Sequence, residues 1–591
     1  MSEIREEYLI PMNARLKSFE PISQKVSFHG TTLTAVSHIA VIESQFNLDL
    51  FDRLHDPSFL ATERLTASGE SAYIILEVLF AEPKHFEMPT ISPDVPVLLR
   101  RELLTRIDES WVREEMGDKW INIRAVPTGY LMRREGNRWV FERRRFSPMV
   151  GSRVHILSSR AVEDFLCVQD GIEIGQIQGF DIPLSIDLEK LVRYHAGMFG
   201  FTGTGKSNLT SFLIRRVLDS LPEIRVFIMD ISGEYISNLL DLFIDPKFPT
   251  WIFSTEDFEN NASRLMESQA IPETLWTLFE ENNLQLEDIF PLVLEGSSIR
   301  TFSSQDFDYT IQFLIDILRS QESSSYYSVA IRGALVRLQN LLSSSNIEPL
   351  TPIRVLEEDQ KRSLLEILEY LLSNISEKSS LSRQILLLRE ECINPPPLPT
   401  NRTTINEIVN QIFESRLTVF YAPEPYDARK IVSSIINRLL YLKKSRGYRT
   451  PVLFVLDEAQ EYIPYNVRKE DFTAASSESV ERLLRQGRKY RAHCWLATQR
   501  VAHLNTNAIQ QLHSYFVSVL PRTYDRAVIS DAFSIDYSFL ERVAYLETGQ
   551  WLFVSYVASK QKNVPIFIET PNNEEIIVSN VRQVLHSRYR S

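Results

Sequence analysis

The residues best suited to chemistry form a glycine-rich octapeptide, GFTGTGKS, at Gly200–Ser207. Its glycines let the backbone approach phosphate groups closely and present successive N–H groups to them, where a side chain would obstruct the approach. Lys206 supplies a point charge for the β- and γ-phosphates, and Ser207 offers a hydroxyl to Mg²⁺. The spacing GxxxxGK[ST] therefore predicts a site for ATP and Mg²⁺. The predicted nucleotide contacts are Gly200, Thr202, Gly203, Thr204, Gly205, Lys206, Ser207 and Asn208.

The segments on either side of the octapeptide favour a phosphate-binding loop over a chance glycine-rich turn. A short apolar run, Ala196–Phe199, precedes it and predicts a strand. After it, Leu209, Phe212, Leu213 and Val217 recur at helical spacing, so a helix is expected to begin at the loop. The positive N-terminal end of that helix adds to the attraction for phosphate.

A second apolar run ends in two carboxylates. The five residues Val452–Leu456 predict a buried strand, and Asp457 and Glu458 follow it directly. Because side chains alternate along an extended chain, Asp457 is expected to face the Mg²⁺ shell and Glu458 the water that attacks the γ-phosphate. A simple strand-to-loop transition is the alternative, and the phosphate loop favours the catalytic interpretation.

A third apolar run, Cys494–Thr498, predicts another strand and is followed by Gln499. Ligands bind at the carboxyl edge of open parallel sheets, where the loop and the two carboxylates are also expected. Gln499 is therefore predicted to sense the γ-phosphate or to position water. A solvated loop glutamine is the alternative.

The composition limits the classes of protein that the chain can represent. It has 591 residues, of which 44% are apolar, so several domains are expected. The formal charge of −13 excludes a surface that is basic all over, and any DNA contact must be local. Three cysteines without a CxxC pair argue against zinc, iron–sulfur and disulfide frameworks. No leader-like or membrane-spanning run is present, which predicts a soluble, cytoplasmic protein without membrane contact.

The pattern of apolar and polar residues changes several times along the chain. Residues 129–146 predict a β-hairpin around Glu135–Gly136–Asn137, with further short strands after it, so a small β-barrel is expected before the nucleotide site. Strand, loop, helix and strand then alternate, which predicts an α/β core with a parallel sheet. Helical periodicity dominates from about residue 243 until the connector NPPPLP at 394–399.

The predicted segments are an unassigned N-terminal extension at 1–120, a barrel-like domain at 121–182, the first part of the core at 183–242, a helical insertion at 243–400, the second part of the core at 401–570 and a C-terminal tail at 571–591.

The predicted hairpin at 129–146 is strongly basic. Its arginines are Arg133, Arg134, Arg138, Arg143, Arg144 and Arg145. A solvated rim is favoured for them, with contact to phosphates or to an acidic partner as the alternative.

Several blocks in order resemble the HerA family of DNA translocases, which are relatives of FtsK with a RecA-like P-loop core. The resemblance covers about 176–249 and 417–569. Its motifs are HAGMFGFTGTGKSN (His195–Asn208), MDISGEY (Met229–Tyr235), VLDEAQEYIP (Val455–Pro464), RQGRKYRAHCWLATQR (Arg485–Arg500) and ETGQWLFVS (Glu547–Ser555).

The resemblance implies further site residues. Asp230 and Glu234 would lie close to the nucleotide, and Arg485 or Arg488 would reach the γ-phosphate of a neighbouring subunit as an arginine finger. A solvated helix face is the alternative for both arginines. The family's D-P-H-G-E-Y block lacks its histidine here, and Gln460 stands where the family commonly has His.

The resemblance also implies an ATP-hydrolysing ring, most simply a hexamer, that moves duplex DNA through its channel as a translocase or helicase. No effector motif is present in the chain, so a NurA-like nuclease or a sirtuin-like or other effector is expected as a partner, in DNA-end processing or anti-phage defence. The alternatives are a nucleotide-gated scaffold that switches an effector, and a conjugation or secretion ATPase. An ABC-type ATPase is disfavoured because no LSGGQ-like signature occurs.

Overall fold

A computed structural model describes residues 7–28, 31–55, 57–65, 71–88, 96–112, 118–136, 138–144, 146–258, 261–303, 307–322, 327–377, 379–395, 403–467 and 471–590. The chain forms two compact units. The first comprises Met1–Asp187 and Val517–Pro571, and the second comprises Leu188–Phe516 and Asn572–Ser591.

The strands of the described residues are β1 (Leu9–Phe28), β2 (Thr31–Gln45), β3 (Phe59–Leu65), β4 (Ser71–His85), β5 (Lys119–Glu135), β6 (Arg138–Arg143), β7 (Arg153–Leu157), β8 (Ile172–Ile177), β9 (Pro183–Ile186), β10 (Ala196–Phe199), β11 (Arg225–Asp230), β12 (Thr250–Ser254), β13 (Ser298–Thr301), β14 (Leu417–Tyr421), β15 (Val452–Leu456), β16 (Ala492–Thr498), β17 (Ser514–Val517), β18 (Gln550–Ser555) and β19 (Ile566–Glu569).

The α-helices are α1 (Leu48–Arg53), α2 (Val97–Val112), α3 (Ser159–Leu166), α4 (Leu188–Arg193), α5 (Lys206–Ser220), α6 (Tyr235–Asn238), α7 (Leu240–Ile244), α8 (Ala262–Glu267), α9 (Glu273–Glu281), α10 (Leu286–Gly296), α11 (Ile311–Glu322), α12 (Ser328–Ser344), α13 (Glu358–Asn374), α14 (Ser380–Ile393), α15 (Ile405–Glu414), α16 (Pro425–Ser445), α17 (Thr473–Gln486), α18 (Thr506–Ile509), α19 (Thr523–Phe533), α20 (Tyr537–Val543) and α21 (Asn573–Arg590). None of these described helices meets the combined requirement of length and hydropathy for a membrane span.

The first unit contains a closed β-barrel. Its strands follow the order β2-β1-β7-β3-β4-β5, and β5 pairs back onto β2, for example at Ala40 and Ala125. Apolar side chains such as Leu16, Ile42 and Leu76 fill the interior. Because alternate residues of each strand point inward, closure buries one face of every strand and leaves no free edge in the barrel wall.

The barrel corrects the expected layout of the N-terminal region. Four of its described strands, β1 to β4, lie within the segment that the sequence left as an extension at 1–120. The strand β8, which was expected in the barrel, instead pairs with β9 and β19 in an antiparallel sheet together with β18. The reason for the error is visible in β1, where Pro11 and Pro21 interrupt the strand pattern and the register shifts between Pro11 and Ala14.

The predicted basic hairpin is confirmed as β5 and β6, with Glu135 opposite Arg138. Part of its charge is neutralised locally, because Arg133 pairs with both Glu135 and Glu142, and Arg144 lies 3.2 Å from Glu142. Asn137 and Arg145 lie outside the described residues. The described part of the hairpin is thus an arginine–glutamate network.

The second unit is built on a sheet with the order β13-β12-β14-β11-β15-β16-β10-β17. The pairs that join β13 through β10 run parallel. The strands β11, β14, β15 and β16 are almost entirely buried, which explains why they read as continuous apolar runs in the sequence. The expected α/β fold with a RecA-like P-loop core is confirmed.

The segment expected to be a helical insertion at 243–400 also contains two strands. The strands β12 and β13 extend the parallel sheet beyond β14, and only then do the helices α11 to α14 follow. These strands are short, and Arg300 interrupts the apolar pattern of β13, so periodicity did not reveal them. Most of the proline-rich connector lies outside the described residues.

The segment expected to be a tail at 571–591 forms the helix α21 in the second unit. The side chains of Ile577 and Val581 are fully buried, and polar residues near the start of the helix bond to α5 and α7. Polar and charged residues are interspersed along this helix, so its apolar face was not recognised in the sequence. The helix therefore belongs to the folded core.

Candidate functional site

The predicted site residues follow neighbouring strands of the parallel sheet. In the order β11-β15-β16-β10, these strands are followed by the acidic turn that begins at Asp230, by Asp457 and Glu458, by Gln499 and by the glycine-rich loop. Parallel strands bring their carboxyl ends to one edge of the sheet, and the side chains that follow them meet there.

Backbone conformation gives the loop its shape. Gly203 and Gly205 have φ angles of 81° and 87°, which are left-handed values that favour glycine. A Cβ atom at Gly203 would meet nothing within 4 Å, so conformation rather than space requires glycine at that position. The hydroxyl and the backbone N–H of Thr204 both donate to the carbonyl of Phe201, at 2.8 and 3.3 Å. Lys206 then begins α5, whose N-terminus presents unpaired N–H groups.

Lys206 and Gln499 both approach the carboxylate of Glu458. The ammonium of Lys206 lies 3.8 Å from Oε1 of Glu458, and Nε2 of Gln499 donates to the same oxygen at 2.5 Å. The hydroxyl of Thr202 in the loop donates to Oε1 of Gln499. The structure therefore brings the loop, the carboxylate and the amide together at one place.

Asp457 lies in an acidic and almost fully buried environment. Ser232 donates to it at 2.9 Å, and only 2% of the residue is exposed. Burial raises the pKa of Asp457 to about 8; Lys206 opposes this shift, and the carboxylates of Glu234, Asp230 and Glu458 add to it. A nearby cation would stabilise the ionised form of this cluster.

The donor set fits Mg²⁺. The hydroxyl of Ser207 donates to Glu234, and this pair offers oxygen atoms beside Asp457, as a hard cation prefers. Among the described residues, no group of three or more His, Cys, Asp or Glu side chains is arranged to hold a metal by itself.

The two acidic residues of the block after β11 have different surroundings. Asp230 is fully buried and accepts backbone N–H bonds from Ser232, Gly233, Glu234 and Tyr235. Burial raises its pKa to about 6, against the effect of these bonds. Asp230 therefore shapes the turn, whereas Glu234 extends from it to Ser207 of the loop.

Glu458 has an unusual backbone conformation. Its φ of 45° and ψ of 53° are left-handed, which costs a non-glycine residue on the order of 1 kcal/mol. The 3₁₀ turn Ala459–Glu461 follows and brings Gln460 back beside Glu458, with 2.7 Å between Nε2 of Gln460 and Oε2 of Glu458. The sequence marked Gln460 only as a departure from a family pattern and did not predict this contact.

Asn208, a predicted nucleotide contact, bonds to the C-terminal helix. Its amide nitrogen donates to Asn572 at 3.0 Å, and its amide oxygen accepts the backbone N–H of Asn573 at 3.0 Å. The side chain of Asn573 accepts in turn from the buried Arg215, which also pairs with Asp241. Nothing in the sequence pattern linked residue 573 to the loop.

Arg485 and Arg488 lie away from the loop of their own chain. They precede β16, whereas Gln499 follows it, and the seven residues of β16 place the two ends about 20 Å apart. Arg485 forms an ion pair with Glu481 one helical turn earlier. The guanidinium of Arg488 lies 5.0 Å from the ring centroid of Tyr194.

Comparison with known proteins agrees with this geometry. Residues 172–390 match the family model of the central domain of helicase HerA. The chain is 21% identical over 423 residues to the DNA double-strand break repair helicase HerA of Sulfolobus acidocaldarius, covering 69% of this chain and 72% of that protein. It is 20% identical over 410 residues to the HerA helicase of Pyrococcus furiosus, covering 65% and 67%.

The solved structures to which the chain was matched include VirB4 of Thermoanaerobacter pseudethanolicus and the bacterial conjugative coupling protein TrwB. The first has a TM-score of 0.42 at 15% identity and covers 69% of this chain and 99% of that chain. The second has a TM-score of 0.39 at 11% identity and covers 70% and 92%. The family-model match over residues 172–390, the HerA relatives and the geometry of the loop and its carboxylates together support a P-loop ATPase that is similar to the HerA helicases.

Proposed function

We propose that the protein hydrolyses ATP as a subunit of a closed ring and uses the reaction to move duplex DNA as a translocase or helicase. The observation that carries the proposal is the approach of both Lys206 and Gln499 to Oε1 of Glu458 at the carboxyl edge of the sheet. The proposal that DNA is the substrate rests on the relatives named as DNA double-strand break repair helicases.

Each residue of the cluster has a role in hydrolysis. The N–H groups of the loop and Lys206 bind the phosphates, and Gln499 contacts the γ-phosphate. Glu458 orients the attacking water and accepts its proton. Ser207 and Asp457 would hold Mg²⁺, which neutralises the charge of the β- and γ-phosphates when it is bound.

The contacts assign different roles to the two acidic residues of the turn. Asp230 has both oxygens engaged by backbone N–H groups, so it positions the turn. Glu234 reaches the hydroxyl of Ser207 and is the acidic residue that adjusts when the hydroxyl binds the cation. Asn208 connects the first turn of α5 to the C-terminal helix and so couples nucleotide binding to that helix.

Arg488 is the better candidate for the finger that completes a neighbouring site. Arg485 is already neutralised by Glu481 in the same helix. Arg488 forms no ion pair among the described residues, and its guanidinium lies 5.0 Å from the ring centroid of Tyr194. A guanidinium at the far end of β16 cannot reach its own loop, so it serves a site only in an oligomer, most simply a hexamer.

The partners follow from the same proposal. Duplex DNA would pass through the channel of the ring, and a NurA-like nuclease or a sirtuin-like or other effector would supply the second activity, in DNA-end processing or anti-phage defence. The reaction would take place in the cytoplasm. The barrel is the element that we assign to docking of the effector.

The function is tested by measuring the ATPase rate with and without linear duplex DNA while the particle is sized by mass photometry. We expect a ring in ATP and a rate that rises severalfold with DNA. Assembly in ATP without any response to DNA would replace the motor with a nucleotide-gated scaffold, and a persistent monomer would contradict the ring.

A further inference from the structure

We propose that Gln460 is a positioning residue for hydrolysis, which holds the carboxylate of Glu458 in its working orientation. The inference rests on the proposed ATPase function and adds a residue that the function does not yet use. Gln460 is half-buried, and its amide nitrogen lies 2.7 Å from Oε2 of Glu458, the oxygen that neither Lys206 nor Gln499 contacts.

A second contact fixes the direction of this amide. The hydroxyl of Thr498 donates to Oε1 of Gln460 at 2.5 Å, and the same hydroxyl oxygen accepts the backbone N–H of Arg500 at 3.0 Å. The amide oxygen of Gln460 faces the Thr498 hydroxyl, and its NH₂ group faces Glu458. An ionised carboxylate only accepts hydrogen bonds, so this is the orientation that it requires.

The two glutamines bond to different oxygens of the Glu458 carboxylate. Gln499 donates to Oε1 and Gln460 to Oε2, so the plane of the Glu458 carboxylate is set from both sides. A bound triphosphate would draw Lys206 and Gln499 toward the γ-phosphate. Gln460 lies on the other side of the carboxylate, held by the buried end of β16, and would keep its bond throughout.

The local backbone makes this contact possible. The left-handed conformation of Glu458 reverses the chain, and the turn Ala459–Glu461 returns Gln460 to the side of Glu458. Because both ends of the Gln460 amide are engaged, by Glu458 and by Thr498, Gln460 acts through Glu458. A loss of orientation of about 1 Å at a catalytic group lowers a rate by about a hundredfold.

The test compares Gln460→Leu with the wild-type protein in steady-state ATPase assays and in binding of a fluorescent ATP analogue. Leucine has a similar volume and removes both amide contacts. We expect kcat to fall about tenfold to a hundredfold while the Kd for nucleotide changes less than about twofold. Gln460→His, which keeps a ring N–H for Glu458 and a ring nitrogen for Thr498, is expected to restore most of kcat.

Thr498→Val provides an independent route to the same contact. It removes the hydroxyl that orients Gln460, so kcat should fall in the same direction but less, and the double variant with Gln460→Leu should be no slower than Gln460→Leu alone. In a Glu458→Gln background, Gln460→Leu should change the residual rate less than about twofold, because the carboxylate it positions is absent.

A Gln460→Leu protein that keeps its kcat, or loses nucleotide affinity as much as kcat, overturns the inference; so does an equal loss of rate in the Glu458→Gln background. If Gln460→Leu does not fold, kcat and the nucleotide Kd of Thr498→Val and Gln460→His are compared with those of the wild-type protein instead. A wild-type protein without ATPase activity would instead refute the proposed function, so the two failures are distinguishable.

Discussion

The ammonium of Lys206 lies 3.8 Å from Oε1 of Glu458, so the cation proposed to bind phosphate and the carboxylate proposed to activate water form an ion pair. The distance is too long for a strong hydrogen bond and short enough for a substantial Coulomb attraction. Only about a tenth of each side chain is exposed, which limits the screening of this attraction by water. A bound triphosphate must therefore compete with Glu458 for the ammonium of Lys206.

Replacing Lys206 with alanine should abolish productive ATP binding. We expect kcat/KM to fall by at least about a hundredfold, since the variant loses its charge against the β- and γ-phosphates and leaves Glu458 unpaired. A coupled ATPase assay measures the effect. Lys247→Ala, at an exposed lysine of the same unit, is the control and should leave the rate unchanged.

The trans role of Arg488 predicts complementation between two inactive proteins. Arg488→Ala should lose about 10³-fold or more in kcat, as expected for an arginine finger. Mixed with Lys206→Ala, it should regain activity, because some interfaces then combine an intact loop from one subunit with an intact finger from the other. Arg485→Ala, which breaks a pair within one helix, should have the smaller effect.

Absence of recovery in mixed rings, with subunit exchange verified by mass photometry, would contradict a finger in trans. Recovery with Arg485→Ala as the inactive partner, and none with Arg488→Ala, would reassign the finger to Arg485.

The buried pair of Arg215 and Asp241 should contribute strongly to stability. Their side chains are 7% and 3% exposed, and Asn573 and Asn580 complete the network from α21. Removing one partner from such a pair leaves a buried charge uncompensated and costs about 3–5 kcal/mol. Asp241→Asn should lower the denaturation midpoint accordingly. Arg362→Ala, at an exposed pair with Asp359, should change stability by less than about 1 kcal/mol.

Lys443 should make stability depend on pH. Burial, together with the smaller effect of the neighbouring charge of Arg491, lowers its pKa to about 7. The unfolded chain binds this proton up to about pH 10.4, whereas the folded chain releases it near 7, so the unfolding free energy should rise with pH across this window. Lys443→Met should flatten the rise in denaturation midpoint between pH 7 and about 10. An unchanged slope would show that Lys443 stays charged in the folded protein.

The strands that position the site were predictable because the core of a parallel sheet is apolar on both faces. Ala196–Phe199 and Val452–Leu456 were predicted with the bounds that the structure shows. The carboxylates and the amide that follow such strands must meet at one edge. That edge could therefore be deduced from the sequence.

The arrangement within the cluster was not predictable from spacing. The contact of Gln460 with Glu458 depends on a left-handed residue followed by a 3₁₀ turn, and neither has a periodic signature. The bonds of Asn208 to Asn572 and Asn573 join residues that are more than 360 positions apart. The barrel was missed where prolines and a register shift interrupt the alternation of β1.

The most direct test of the site is single-turnover hydrolysis by Glu458→Gln, measured with its affinity for ATP. The account predicts that the variant binds ATP as tightly as the wild type while its hydrolysis rate falls about 10²- to 10⁴-fold, because the group that accepts the proton of water is lost and the phosphate contacts remain. Hydrolysis at the wild-type rate would contradict the account.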